Sequence, residues 1–173
     1  MSQKSILISS CLIGSECAYD GGARTVEAVK ELCGSYRSFD VCPELAGGLT
    51  CPRERNEITG GTGRDVVEGR ARPVKNFKEI YNGARVLSSS GADNTEKFLR
   101  GSRKAVEVAL ANKVEVAILK SRSPSCGKYK IHAGTFDGTM RLGEGVTAAL
   151  LMKHGVKVFT EHEVEEAKRE LSA

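Results

Sequence analysis

The feature that most constrains the fold is a short apolar run, residues 114–119, which is rich in β-branched side chains and leads into a loop containing Cys126. Its length and composition suit a strand buried on both faces of a parallel sheet better than a helix. Cys126 is therefore predicted to lie just beyond the carboxyl end of a strand. In open α/β sheets ligands bind at that edge, near the point where the strand order reverses.

Two more cysteines follow predicted strands in the same way. The apolar run at residues 6–8 leads through two serines to Cys11, and the run at residues 39–41 leads directly to Cys42. Parallel strands end at one common edge of their sheet. The thiols of Cys11, Cys42 and Cys126 are therefore predicted to converge on one point.

The order of the remaining patterns predicts the fold class. The first 42 residues form a βαβ unit, with a helix from Thr25 that ends at Gly34, and such units give parallel strands with a right-handed crossover. A helix that Asn94 or Thr95 can cap precedes the strand at 114–119. Helix 145–155, strand 156–159 and helix 161–171 complete the chain. The prediction is an α/β fold, in which residues 1–173 form a single three-layer, Rossmann-like domain with a mainly parallel sheet.

A long segment, at about residues 43–94, interrupts this alternation with glycine pairs and many charges. We interpret it as an irregular lid excursion over the sheet edge, since loops of this length in compact domains are usually functional. Short strands at 66–67 and 71–74 and a helical turn within 76–86 are expected inside it. Residues 131–142 are predicted to form a second, smaller excursion punctuated by glycine.

Composition narrows the possible functions. A chain of 173 residues can bury about 70% of its unfolded surface in one core without disulfides. A net charge of +4, scattered basic residues and only 5% aromatics argue against a nucleic-acid partner and leave a small polar or anionic ligand. The N-terminus resembles no signal peptide and no apolar run approaches 18 residues, so we expect a cytoplasmic protein without a membrane partner.

In a reducing compartment the six cysteines are expected to be free thiols, metal ligands or catalytic groups. Thiolates prefer soft metals, such as zinc or the iron of iron-sulfur clusters. Three thiols leave one coordination position open, as catalytic metal sites do. Cys33, on the apolar face of a helix, is interpreted as a core residue, and Cys51 as unreactive. Cys17 is either a further ligand or a buried loop anchor.

Four blocks of the chain together resemble the thiouracil desulfidase family. They are SSCLIG (9–14) with CAYDG (17–21), VCPELAGG (41–48), KSRSPSCG (120–127), and GTFDG (134–138) with GVTAA (145–149). The blocks occur in the family's order and at similar spacing, and the resemblance covers most of the chain.

The resemblance implies a 4Fe-4S cluster bound by Cys11, Cys42 and Cys126. It also implies removal of sulfur from thiolated uracil without net redox change, with Glu44 as the acid/base group and Ser123 assisting. The expected partner is a small thiolated pyrimidine, such as 2- or 4-thiouracil or a related base or nucleoside. The sequence defines neither the sulfur acceptor nor the oligomeric state.

The chemistry can also be argued from the residue types. An iron without a protein ligand is a Lewis acid that can bind an exocyclic sulfur, so that water attacks the ring carbon. A carboxylate two residues from a cluster ligand is placed to take the water's proton and to return one. Arg53, Ser125 and Thr147 are the candidates for substrate binding, the last because it lies near a helix N-terminus. His132 is a further candidate for a ligand contact.

Two other functions fit the same residues. In the first, the chain is a structural or sensing metal-thiolate protein, and Cys17 closes the site as a fourth ligand. In the second, it is a Rossmann-like small-molecule binding module whose thiols stay free.

Overall fold

The computed structural model describes residues 4–69 and 83–173. Its strands are β1 (Ser5–Ser9), β2 (Arg37–Val41), β3 (Asn56–Thr59), β4 (Arg85–Ser88), β5 (Val116–Leu119), β6 (Lys130–His132), β7 (Met140–Leu142) and β8 (Lys157–Thr160). Its α-helices are α1 (Glu27–Ser35), α2 (Pro43–Ala46), α3 (Gly63–Glu68), α4 (Thr95–Ala111), α5 (Val146–Lys153) and α6 (Val164–Ser172). A 3-10 turn, Ser10–Ile13, follows β1. None of the helices described is both long and apolar enough to cross a membrane.

Four parallel strands form the central sheet in the order β2-β1-β5-β8. The chain passes from β1 to β2 on one side and later returns to place β5 on the other side of β1. The strand order therefore reverses between β1 and β5, and the edge at their carboxyl ends is where α/β sheets bind ligands. The predicted βαβ start and the predicted parallel strand at residues 114–119 are both confirmed.

Helices cover both faces of this sheet and make three layers. Along β1, Ile6 and Ile8 pack towards α1 and α6, whereas Leu7 packs towards α4 and α5. All three side chains are fully buried. Burial on both faces explains why the two central strands, β1 and β5, are continuous apolar runs instead of alternating ones. The predicted α/β fold with a mainly parallel sheet is thus confirmed.

The predicted excursion lies between β2 and α4, but its described residues are more regular than the sequence pattern suggested. It contains α2, α3 and the antiparallel pair of β3 and β4. Ile58, Val66 and Val86 from this segment bury their side chains with Phe98 of α4 and Val146 of α5. The excursion therefore shares a small core with α4 and α5, which attaches it to the helices beside the central sheet.

The predicted strand at residues 66–67 is wrong, because these residues belong to α3. A capping box starts that helix. The Asp65 carboxylate accepts a hydrogen bond from the Thr62 backbone N–H at 2.9 Å, and the Thr62 side chain accepts one from the Asp65 backbone N–H in return. Such reciprocal caps satisfy two N–H groups that a short helix would otherwise leave unpaired. This local signal outweighs the β preference of two adjacent valines.

Other element boundaries also differ from the predictions. The predicted strand at 71–74 and most of the predicted turn at 76–86 lie outside the described residues, but Val86 is in β4, where it pairs with Ile58. Gly34 lies within α1 instead of ending it. Residues 131–142 include the antiparallel strands β6 and β7.

Helix α4 begins at Thr95 as predicted, but neither predicted side-chain cap acts as one. The Asn94 side chain donates to Asn56 Oδ1 at 2.8 Å, and Thr95 Oγ1 accepts the Val86 N–H at 3.0 Å. Asp93 Oδ1 instead accepts the Thr95 N–H at 2.9 Å. The start of α4 is therefore tied to β3 and β4.

Helix α2, which carries Glu44, lies directly on α4 because glycines face each other at the crossing. A Cβ added to Gly101 would overlap the carbonyl oxygen of Pro43, and one added to Gly47 would overlap the carbonyl oxygen of Lys97. Backbone approach this close requires residues without a side chain. The position of Glu44 therefore depends on the packing of α4.

We predict that Gly101→Ala lowers the free energy of unfolding by roughly 1–3 kcal/mol, because the new methyl group pushes α2 away from α4. The matched control is Gly34→Ala, which lies in a helix with nothing within 4 Å of the added Cβ. That change should raise stability by roughly 0.5–1 kcal/mol. Urea denaturation measures both, and equal effects of the two substitutions would contradict the close crossing.

Candidate active site

A cavity of about 230 Å³ lies at the carboxyl edge of the central sheet. The loops that follow β1, β2 and β5 form much of its wall. Cys11, Cys42 and Cys126 all line it, and Cys17 lies beside them. The structure therefore brings to one cavity the three thiols that the sequence placed at one sheet edge.

The loop from β5 to Cys126 is shaped by Ser123. Its hydroxyl oxygen accepts the backbone N–H groups of Ser125 at 3.1 Å and of Cys126 at 3.0 Å. The Gly127 N–H donates to the Ser123 carbonyl at 2.9 Å. These bonds hold Cys126 in a tight turn. Because its oxygen already accepts two hydrogen bonds, the Ser123 hydroxyl is left to act towards a ligand as a donor.

Glu161, just after β8, anchors the start of the same loop. Its carboxylate accepts hydrogen bonds from Lys120 Nζ at 2.7 Å, from Ser121 Oγ at 2.7 Å and from the Ser121 N–H at 2.8 Å. Burial disfavours its charged form, but these bonds outweigh burial and lower the pKa of Glu161. The sequence analysis missed this residue, since its only signal is a position at the end of the last strand.

Three thiols at the cavity, those of Cys17, Cys42 and Cys126, favour their protonated forms in the free protein. A hydrogen bond with Cys11 is the main cause that raises the pKa of Cys17 to about 11. A hydrogen bond with Cys17, followed by burial, raises the pKa of Cys42. Burial raises the pKa of Cys126 to about 12. A metal that binds these sulfurs as thiolates must therefore displace protons.

Glu44 lies in the first turn of α2, two residues after Cys42, and lines the cavity. Its Oε2 is 2.6 Å from Arg53 Nε, and both side chains are largely buried. Burial raises the pKa of Glu44, and the Arg53 guanidinium opposes this shift only in part. A carboxyl group with a raised pKa is suited to exchange protons near neutral pH.

Arg53, a predicted substrate-binding residue, lines the cavity but already has three protein partners. Besides Glu44, it donates to the carbonyl oxygens of Cys17 at 3.0 Å and Thr50 at 3.2 Å. These bonds fix the guanidinium beside Glu44. Its part in binding a substrate stays a prediction.

Ser125 and Thr147, the other two predicted substrate-binding residues, are buried between the Cys126 loop and helices α4 and α5. The Ser125 hydroxyl is 2.7 Å from that of Thr147, which is 2.7 Å from that of Ser102, and all three residues are buried. Neither Ser125 nor Thr147 is among the residues that line the cavity. This hydroxyl chain joins the Cys126 loop to α4 and α5. A substrate contact by either residue stays a prediction.

The chain is also similar to known proteins. The family model for 2-thiouracil desulfurase matches residues 6–163. The chain belongs to this family. A Bacillus subtilis (strain 168) protein, YbbK, described as uncharacterized, is 41% identical over 159 residues, which are 92% of this chain and 97% of that protein.

A solved structure also resembles this 2-thiouracil desulfurase family member along its length. It is named [4Fe-4S]-dependent thiouracil desulfidase TudS, and it is 34% identical with a TM-score of 0.79. The match covers 98% of this chain and 99% of the other. The α/β fold is therefore the fold of that desulfidase.

The donor set fits an iron-sulfur cluster. Within residues 4–69 and 83–173, no three His, Cys, Asp or Glu side chains are grouped to hold a single metal ion. A 4Fe-4S cluster makes a different demand, because each cysteine binds a different iron and the sulfurs are spaced around the cluster. Cys11, Cys42 and Cys126 supply soft thiolates to the cavity from the loops after three different strands, and soft thiolates are what such clusters require.

We predict that Glu161→Gln destabilises the protein at pH 7, because it replaces a charged acceptor of three hydrogen bonds. Since the pKa of Glu161 is lowered by folding, its contribution is present above the unfolded value and is lost as pH falls through the folded value. The stability difference from wild type should therefore shrink below about pH 4. Urea denaturation at several pH values measures it. The control Glu115→Gln, which changes an exposed carboxylate, should show little effect at any pH. If the stability difference between Glu161→Gln and wild type were the same at every pH, Glu161 would not anchor the loop through its charge.

Proposed function

We propose that this protein removes sulfur from thiolated uracil, such as 2- or 4-thiouracil or a related base or nucleoside, with a 4Fe-4S cluster held by Cys11, Cys42 and Cys126. One observation carries the proposal: three thiols from separate loops line one cavity together with the buried carboxylate of Glu44. Membership of the family supports the substrate class, and the name of the 34% identical desulfidase supports the cluster. Because the reducing cytoplasm keeps thiols free of disulfides, we propose that the protein is cytoplasmic.

The reaction balances without an oxidant or a reductant. Water attacks the thiocarbonyl carbon, a C–O bond forms, the C–S bond breaks, and the two hydrogens of the water leave with the sulfur as hydrogen sulfide. When bound, the cluster would supply a Lewis-acidic iron without a protein ligand, which polarises the C–S bond.

The residues of this chain move and orient the protons. Glu44 takes a proton from the attacking water and returns one to the leaving sulfur. Arg53 holds the Glu44 carboxyl group in place through the 2.6 Å contact. Ser123, whose oxygen already accepts two backbone N–H groups, donates its hydroxyl hydrogen to the substrate or the water. Glu44 and Arg53 are both largely buried, and this burial excludes bulk water from the proton-transfer step.

A second candidate is a closed metal-thiolate site with a structural or sensing role. The observation in its favour is that Cys17 is only 5% exposed and hydrogen-bonds with Cys11. In that case Cys17 is a fourth ligand, and Cys17→Ser removes metal as strongly as any other ligand substitution. A third candidate, a binding module with free thiols, requires anaerobically purified protein to be colourless and metal-free.

We predict that replacing Cys11, Cys42 or Cys126 with serine removes most of the iron, because hard hydroxyl ligands hold iron of a cluster poorly. The controls are Cys33→Ser and Cys51→Ser, which should leave iron nearly unchanged. Cys33 Sγ donates to the Val29 carbonyl inside α1, and Cys51 is exposed. The measurement is iron per folded chain after anaerobic purification. Equal losses in all five variants would contradict the ligand assignment.

We predict that Glu44→Gln lowers the desulfuration rate by a factor of about 100 to 10,000, because glutamine keeps the size of the side chain but cannot take a proton. Cluster content should remain, since no cysteine changes. Ser123→Ala should give a smaller loss, as it removes one donor. Uracil formation, iron content and the spectral response to thiouracil are measured on each variant. Near-normal turnover by Glu44→Gln with a full cluster would show that the carboxylate is structural.

A further inference from the structure

A buried carboxylate and an imidazole face each other at the cavity without forming a hydrogen bond. Glu57 lies on β3 and His132 on β6, and both line the cavity. Glu57 Oε1 and His132 Nδ1 are 3.9 Å apart, about 1 Å longer than a hydrogen bond. Both atoms are buried, and neither has a hydrogen-bond partner among the described residues. Unpaired buried polar atoms cost stability, so such a pair needs an explanation.

The other oxygen of Glu57 is fully engaged. Oε2 accepts the backbone N–H groups of Gly134 at 2.9 Å and Phe136 at 3.0 Å, in the loop between β6 and β7. Gly134 has a φ of 86°, and a Cβ there would come within 2.6 Å of the Ile58 carbonyl oxygen. The loop therefore packs closely on β3, and the Glu57 side chain, 2% exposed, is held in one position. Its free oxygen is left pointing at His132.

This arrangement decides which nitrogen of His132 is available. Of the two neutral tautomers of His132, a carboxylate facing Nδ1 favours the one that carries its hydrogen on Nδ1, and a small turn of the ring completes that bond. Nε2 is then a hydrogen-bond acceptor. The His132 side chain is 25% exposed and lines the cavity, so Nε2 is the nitrogen that a ligand can reach.

We propose that Glu57 and His132 recognise the substrate, with His132 Nε2 accepting a hydrogen bond from N3–H of the pyrimidine ring, which lies beside the thiocarbonyl in both 2- and 4-thiouracil. Glu57 acts through His132 and is a positioning residue. This inference rests on the proposed function and explains how the site would distinguish thiolated uracil from thiolated cytosine. A thiolated uracil carries a hydrogen on N3, whereas a thiolated cytosine carries a lone pair there. An acceptor at Nε2 therefore selects the first ring and repels the second.

The test measures binding separately from turnover. Stopped-flow absorbance of the cluster, read before turnover, measures binding of 2-thiouracil and 2-thiocytosine, both methylated at N1 so that only N3 can present a ring hydrogen. The proteins are cluster-loaded wild type, His132→Phe, His132→Gln and Glu57→Gln, each checked first for iron content and secondary structure. Steady-state kinetics with 2-thiouracil follow. His154→Phe is the matched control, since it makes the same change at the C-terminal end of α5, outside the cavity.

We expect His132→Phe to weaken binding of 2-thiouracil, and to raise KM, by about 10- to 100-fold, and to abolish the preference over 2-thiocytosine. His132→Gln should recover part of the affinity, because its amide oxygen can accept the same hydrogen bond. Glu57→Gln should show a smaller loss of affinity for 2-thiouracil. Because Glu57 acts through His132, combining this change with His132→Phe should weaken binding no further than His132→Phe alone. The control should bind both bases as wild type does.

Other outcomes overturn the inference. If His132→Phe keeps its iron and still prefers 2-thiouracil, His132 does not read the ring. A loss of kcat with unchanged binding would show that the pair only supports the β6-β7 loop. Wild type that binds 2-thiouracil selectively but releases no uracil would contradict the proposed function and leave the recognition role standing. Wild type that binds neither base would overturn both.

Discussion

The parallel pairing of β1 with both β2 and β5 is the constraint on which the site depends. Ser9, the last residue of β1, lies opposite Val41, the last residue of β2, so the chain reaches Cys11 and Cys42 at the same level of the sheet. Cys126 follows β5 by seven residues and would not return to this edge unaided. The Ser123 turn and the Glu161 anchor bring it back. The site is thus a property of strand direction, completed by two local hydrogen-bond networks.

Burial at this edge gives its groups their chemistry. The same low polarity that raises the pKa values of Cys126 and Glu44 makes uncompensated charge costly there. Arg53 balances Glu44, while the raised pKa values of the Cys42 and Cys126 thiols keep these two groups protonated until a metal takes the place of their hydrogens. The cavity therefore combines thiols that a metal can deprotonate with a carboxyl group suited to proton exchange.

The hydrophobic pattern was sufficient to predict the sheet, its helical layers and the convergence of three thiols, because continuous apolar runs report burial on both faces. It failed where a few polar contacts decide the structure. The Thr62–Asp65 capping box turns residues 66–67 into helix, and Asn94 is bound to Asn56 instead of capping α4. The Glu57–His132 pair joins residues that are far apart in the chain, and no local pattern reports such a contact.

The central claim is that sulfur is replaced by water's oxygen at this edge without electron transfer. Anaerobically purified protein with its full iron content is incubated with 2-thiouracil in oxygen-18 water, with no reductant, and the uracil and sulfide are measured. If water replaces the sulfur directly, each chain completes more than one turnover, each uracil carries one oxygen-18 atom at the carbon that held sulfur, and sulfide forms in equal amount. No uracil from cluster-loaded protein, or uracil formed only when an electron donor is added, would contradict it.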